Sequence, residues 1–146
     1  MLKEKDLIVK RSGLAGSGKG LFTRKNIRKG TVIAEYKGTV STWKEADHGD
    51  GKNRYIFYIN RNRVIDAKPH TRSVARYAND AQGTIKQKGI QNNSEYVENK
   101  EKVFIIATKD IPAGSEIFVS YGKEYWDAVK YNLRLDSRKA KKKAIA

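Results

Sequence analysis

"GLAGSGKGLFTRKNIRKG", residues 13–30, decides between two kinds of protein. A phosphate-binding loop reads G-x-x-x-x-G-K-[ST] and opens onto a helix whose N-terminus faces the phosphates. Gly13, Gly18 and Lys19 fit that pattern, but Gly20 stands where the magnesium-binding hydroxyl belongs. After Lys19 the chain reads Gly20-Leu21-Phe22-Thr23, which is strand-like, and it reaches Gly30 within ten residues. A helix has no room there. The stretch is therefore a tight Gly-rich turn between two strands, where glycines let a ligand touch main-chain atoms.

The rest of the chain supports a β-rich fold. "DLIVKRS" before the loop and "GLFTRK" after it read as strands, and "TVIAEYKGTV" (31–40) reads as one β-branched, alternating strand. "STWKEADHGDGKNR" reads as a short helical turn and a loop. "YIFYIN" and "RVIDA" form a hairpin around "RNR", and "TRSVARYAND" makes one or two helical turns. "EYVENKEKVFIIATKDI" gives two strands joined at "NKEK". "PAGSEIFVSYG" gives a turn and a final strand, and "KEYWDAVKYNL" begins a helix. Many short strands with little helix indicate a mainly β fold, not an alternating βαβ chain. With 146 residues and neither repeat nor linker, one domain is expected over 1–133, followed by a basic, flexible tail over 134–146.

Composition narrows the function. There is no cysteine, which removes disulfides and thiolate metal sites. With only His48 and His70, no metal centre is expected. No apolar run is long enough to cross a bilayer, and the charged start "MLKEKDLIVK" lacks the apolar core of a signal peptide. An intracellular protein is expected: nucleus or chromatin if eukaryotic or viral, cytoplasm if prokaryotic. The formal net charge of +15 attracts polyanions, so nucleic acid is a candidate contact for the basic surface.

Several separated motifs add a resemblance. Gly18-Lys19-Gly20-Leu21-Phe22 looks like the G-x-G-x-F loop of the SET-domain family of protein lysine methyltransferases. Arg76-Tyr77-Ala78-Asn79-Asp80-Ala81 looks like that family's R-F-I-N-H-S. Asn92-Asn93, with Tyr96 three residues on, resembles its Pro-Asn element. Gly114-Ser115-Glu116-Ile117-Phe118-Val119-Ser120-Tyr121 resembles G-E-E-L-x-x-x-Y, and "VIDA" at 64–67 also recurs there. "YGKEYW" is similar to the ending of compact members, including a viral one, which close the site with an aromatic helix instead of a zinc-bound segment. The likeness runs from about Lys10 to Trp126, and the order and spacing of the motifs make it specific. The chain departs from the pattern at Asp80 (usually His), at Ala81 (usually Ser), in the missing Pro before Asn93, and in a longer loop before it.

The resemblance implies a SET fold of small curved sheets with a pseudoknot-like crossing. It implies methyl transfer from S-adenosylmethionine to a lysine of a protein substrate, possibly histone-like by charge and family, by a monomer or homodimer. By resemblance, Tyr121 is the catalytic tyrosine, and Tyr36 and Tyr96 line the lysine channel. Gly18, Lys19, Gly20, Tyr77, Asn79, Asp80, Tyr121 and Trp126 meet the cofactor. Phe57 and Tyr58 are aromatic neighbours that suit either the groove or the core, with Tyr58 taken as a substrate contact. Glu116 is structural, and Arg76 is expected to brace the core through an ion pair. Glu95, Glu98 and Glu101 form a candidate acidic patch near Tyr96, which would let a strongly basic protein accept a basic tail. The alternative is a non-catalytic basic β domain that binds nucleic acid or peptide, because aromatics stack bases while Lys and Arg track phosphates.

Overall fold

Ten short strands and three single turns of 3-10 helix make up the described part of this computed structural model, which comprises residues 1–82 and 87–121. The expected closing helix, Trp126 and the tail at 134–146 lie outside the described residues. The strands are β1 (Leu7–Arg11), β2 (Lys19–Thr23), β3 (Val32–Glu35), β4 (Thr39–Ser41) and β5 (Ile56–Asn60). They continue with β6 (Arg63–Asp66), β7 (Ser94–Asn99), β8 (Lys102–Ala107), β9 (Glu116–Ile117) and β10 (Val119–Ser120). Three small sheets result, in the orders β1-β2-β9, β10-β7-β8-β3 and β4-β6-β5.

Local chemistry sets most of these pairings. β1 and β2 flank the Gly-rich loop as an antiparallel pair, with Val9 opposite Leu21. The "NKEK" turn joins β7 to β8 with Lys100 and Glu101 both at positive φ (51° and 67°), the twist a tight hairpin requires. The helical reading of "TRSVARYAND" condenses to one 3-10 turn, Val74–Tyr77. The core lies between the sheets. Leu21, Ile33, Val103, Ile105, Ile117 and Val119 are completely buried there, and each aliphatic side chain stabilises the fold by about 1.5–3 kcal/mol.

Two readings need correction. The stretch 31–40 is not one strand but two, β3 and β4, which belong to different sheets. The break falls at Gly38, where a Cβ would lie 2.4 Å from the Asp66 carbonyl oxygen. Only glycine allows β4 to approach β6 so closely there. The final strand also divides: β9 runs antiparallel to β2, whereas β10 runs parallel to β7. Phe118 stands at the change of sheet. Its N–H donates to Asn93 Oδ1 (3.0 Å), and its carbonyl accepts the Asn93 and Ser94 N–H groups (3.0 and 3.1 Å). On the other side the Val119 N–H donates to the Asn79 carbonyl (2.9 Å). The segment is thus clasped between two loops distant in sequence.

Candidate active site

A cavity of about 520 Å³ opens where the three sheets meet. That size suits a ligand of small-molecule dimensions. One wall is aromatic and comes from strands. Tyr36, just after β3, is buried; its ring meets Tyr96 of β7 edge-on at 5.8 Å and Phe57 of β5 at 6.1 Å. Phe57 and Tyr96 meet at 5.1 Å, and Tyr96 stacks on Tyr121 at 6.1 Å. The Tyr36 hydroxyl donates to the Tyr55 carbonyl (2.8 Å), which fixes its ring against the hairpin.

The other wall is made of loops, and polar bonds hold it. The Asn79 side-chain amide donates to the Lys19 carbonyl (2.9 Å) and so joins the middle motif to the Gly-rich loop. Glu116, nearly buried, accepts from the Ser12 hydroxyl (2.7 Å) and the Gly13 N–H (2.9 Å), which ties that loop to β9. A Cβ at Gly20 would lie 2.3 Å from Glu116 Oε2, so Gly20 is required by this tether.

Asp80 is the junction of the loop wall. Its Oδ2 accepts the Tyr121 N–H (2.8 Å), and its Oδ1 accepts the Gln82 N–H and the Asn92 side-chain amide (2.8 Å each). Asn92 Oδ1 in turn accepts the Ala81 N–H (2.8 Å). Tyr121 is therefore positioned by its backbone through Asp80, and its hydroxyl donates to the Ala78 carbonyl. A donor-only imidazolium would serve these three N–H groups badly; a carboxylate suits all of them.

The structure places Gly18, Lys19, Tyr36, Tyr77, Asn79, Asp80, Tyr96 and Tyr121 on this one cavity. It separates others. Gly20 faces Glu116 rather than the cavity. Tyr58 is half exposed on the outer face of β5, against Trp43, and does not line the cavity. Alternation explains this: Phe57 and Tyr58 point to opposite faces of β5, and Phe57 is the one that packs against the core. Arg76 forms no ion pair among the described residues. It donates to the Ala67 and Lys68 carbonyls (2.9 and 2.6 Å) and lies over the Tyr55 and Tyr77 rings. The three glutamates form no single patch. Alternation along β7 puts Glu98 on the Tyr96 face and Glu95 on the other. Glu101 pairs with Arg63 at 3.5 Å. Asn92 and Phe57 are the contributors that the motifs understate; alternation along β5 is the signal that could have separated Phe57 from Tyr58.

This arrangement of small sheets is that of an established class of domain. The methyltransferase domain of human PR domain-containing protein 2 superposes with a TM-score of 0.60, covering 83% of this chain and 79% of that one at 24% identity, a likeness of fold. The SET domain pattern matches residues 18–122, and the chain belongs to the SET-domain family. N-lysine methyltransferase KMT5A of Xenopus tropicalis is 24% identical over 119 residues, covering 75% of this chain and 34% of that protein. Histone-lysine N-methyltransferase 2D of Homo sapiens is 32% identical over 120 residues, covering 75% of this chain and 2% of that protein. The chain thus spans about a third or less of the length of these relatives. No helix among the described residues is long and apolar enough to cross a membrane.

Proposed function

We propose that this chain is an S-adenosylmethionine-dependent protein lysine N-methyltransferase whose substrate is a histone-like or other basic protein. The observation that carries the reading is the meeting of Tyr36, Tyr96 and Tyr121 with Asn79 and the Gly16–Lys19 loop around one cavity. The residues present suit the methyl donor. Lys19 and Arg54 bring positive charge that suits a carboxylate, the loop brings peptide groups, and Tyr77 brings a ring. Gly18, Lys19, Asn79 and Asp80 would hold it. When bound, S-adenosylmethionine supplies a methyl group already activated on a sulfonium.

The chain's own residues have two tasks. A free lysine amine has a pKa near ~10.4 and must enter uncharged. The walls of Tyr36, Phe57 and Tyr96 disfavour the ammonium form by excluding water, which lowers that pKa. Tyr121, held at its N–H and its hydroxyl, fixes the end of the channel, so the amine arrives in line. Alignment of this kind supplies much of the acceleration. Location follows the substrate: chromatin in a eukaryotic or viral setting, cytoplasm in a prokaryotic one.

The test is transfer of radiolabelled methyl to histones and to total cell protein, with mapping of the modified residue. Tyr121→Phe is expected to fold, to bind the donor and to lose about 100-fold or more of turnover, since its Ala78 bond and orientation go together. Full turnover by Tyr121→Phe would refute the role given to that hydroxyl, and absence of any labelled product would refute the enzyme reading.

A further inference from the structure

The back of the β5–β6 hairpin carries a second group of residues that the cavity does not use. Trp43 and Tyr58 are about half exposed (45% and 51%), the exposed large aromatics among the described residues. Their rings meet edge-on at 5.4 Å, and the His48 ring meets Trp43 at 4.2 Å. His48 Nε2 lies 2.6 Å from the Trp43 carbonyl, and the Trp43 N–H donates to the Arg61 carbonyl (2.9 Å). The pair is therefore fixed to the hairpin. Beside Tyr58 lies a cleft of about 630 Å³ lined by Asn60, Arg61, Asn62, Arg63 and Glu101.

The two arginines differ. Arg63 is spanned by Glu101, through Nε to its carbonyl (3.1 Å) and Nη1 to its carboxylate (3.5 Å). Arg61 is exposed and has no carboxylate within ion-pair distance among the described residues. The cleft thus presents one aromatic ring, one guanidinium available for an anion, and the exposed amide of Asn62.

We infer that this outer face of the hairpin binds single-stranded nucleic acid. Tyr58 and Trp43 stack on unpaired bases, Arg61 meets a phosphate, and Asn62 reaches a base edge. An acidic peptide would satisfy Arg61 but would leave the aromatic faces without a matching surface. A duplex hides its base faces, so half-exposed rings on the outer face of the hairpin select unpaired strands. The net charge of +15 supplies the long-range attraction. Phe57 and Tyr58 are neighbours on β5, so bound nucleic acid lies behind the hairpin whose front walls the cavity. The inference does not depend on methyl transfer, and its test needs none.

The test is fluorescence anisotropy of a labelled oligouridylate of about 12 nucleotides with the full chain, titrated at several salt concentrations. Tyr58→Ala is expected to weaken binding about five-fold or more, while Tyr58→Phe retains it. Tyr58→Leu keeps an apolar cover over buried Val64 and guards against a folding failure; it is expected to lose affinity as Tyr58→Ala does. Arg61→Ala should lower the slope of log affinity against log salt by about 0.7. Wild-type affinity in a folded Tyr58→Leu protein would overturn the inference. So would displacement of the oligonucleotide by poly-glutamate at equal charge as readily as by unlabelled oligouridylate.

Discussion

The two walls of the cavity are built by different physics. The aromatic wall of Tyr36, Phe57 and Tyr96 rides on strands, where ladder register and side-chain packing fix each ring. The loop wall of residues 12–19, 76–82 and 121 contributes few ladder bonds. It is held by side chains that cross the sequence: Glu116 to Ser12, Asn79 to Lys19, and Asp80 to Tyr121. One wall is held mainly by apolar volume and the other mainly by acceptors and donors. The strand wall should therefore tolerate the loss of a hydrogen-bonding group and the loop wall should not.

The largest expected effect is at Asp80. Asp80→Ala strands three N–H donors in a mostly buried site, at a cost of roughly 3 kcal/mol or more. Thermal unfolding should show the loss, and methyl transfer should fall about 100-fold because Tyr121 shifts. Asp80→Asn, which keeps one acceptor oxygen, should recover part of both. Next comes Glu116→Ala, expected to cost about 2 kcal/mol and to weaken donor binding by loosening the Gly-rich loop. Calorimetry and unfolding on one sample separate these two effects. Asn79→Ala should reduce donor affinity about ten-fold with a smaller change in stability, again read by calorimetry. The smallest effect belongs to the strand wall: Tyr36→Phe removes the bond to the Tyr55 carbonyl, keeps the ring, and should cost about 1 kcal/mol. If Tyr36→Phe proved as damaging as Asp80→Ala, the contrast between the walls would be wrong.

The same contrast explains what could be read from the sequence. β1, β2, β7 and β8 stand where alternation and turn residues put them, because those signals are local. Tyr36 and Tyr96 could be assigned to the cavity because motif and strand agreed. Phe57 and Tyr58 could not be told apart by residue type; alternation puts them on opposite faces of β5, and packing against Tyr36 and Tyr96 decides that Phe57 turns inward. The breaks at Gly38 and Phe118 were hidden for another reason. Each depends on a partner far along the chain, the Asp66 carbonyl in one case and Asn93 in the other. The acceptor role of Asp80 was hidden likewise, since two of its three donors, Asn92 and Tyr121, come from other segments.

The clasped segment at Phe118 also bears on how this protein comes into being. β9 and β10 complete two sheets, and the Glu116 tether bridges a separation of 104 residues. Ribosomal synthesis is directional, so a nascent chain exposes the waiting edges of β2 and β7 before their partners emerge. Such edges are templates for pairing with other chains, and contacts so distant in sequence form slowly. The edges of β2 and β7 therefore stay open to other chains until residues 116–120 dock on them.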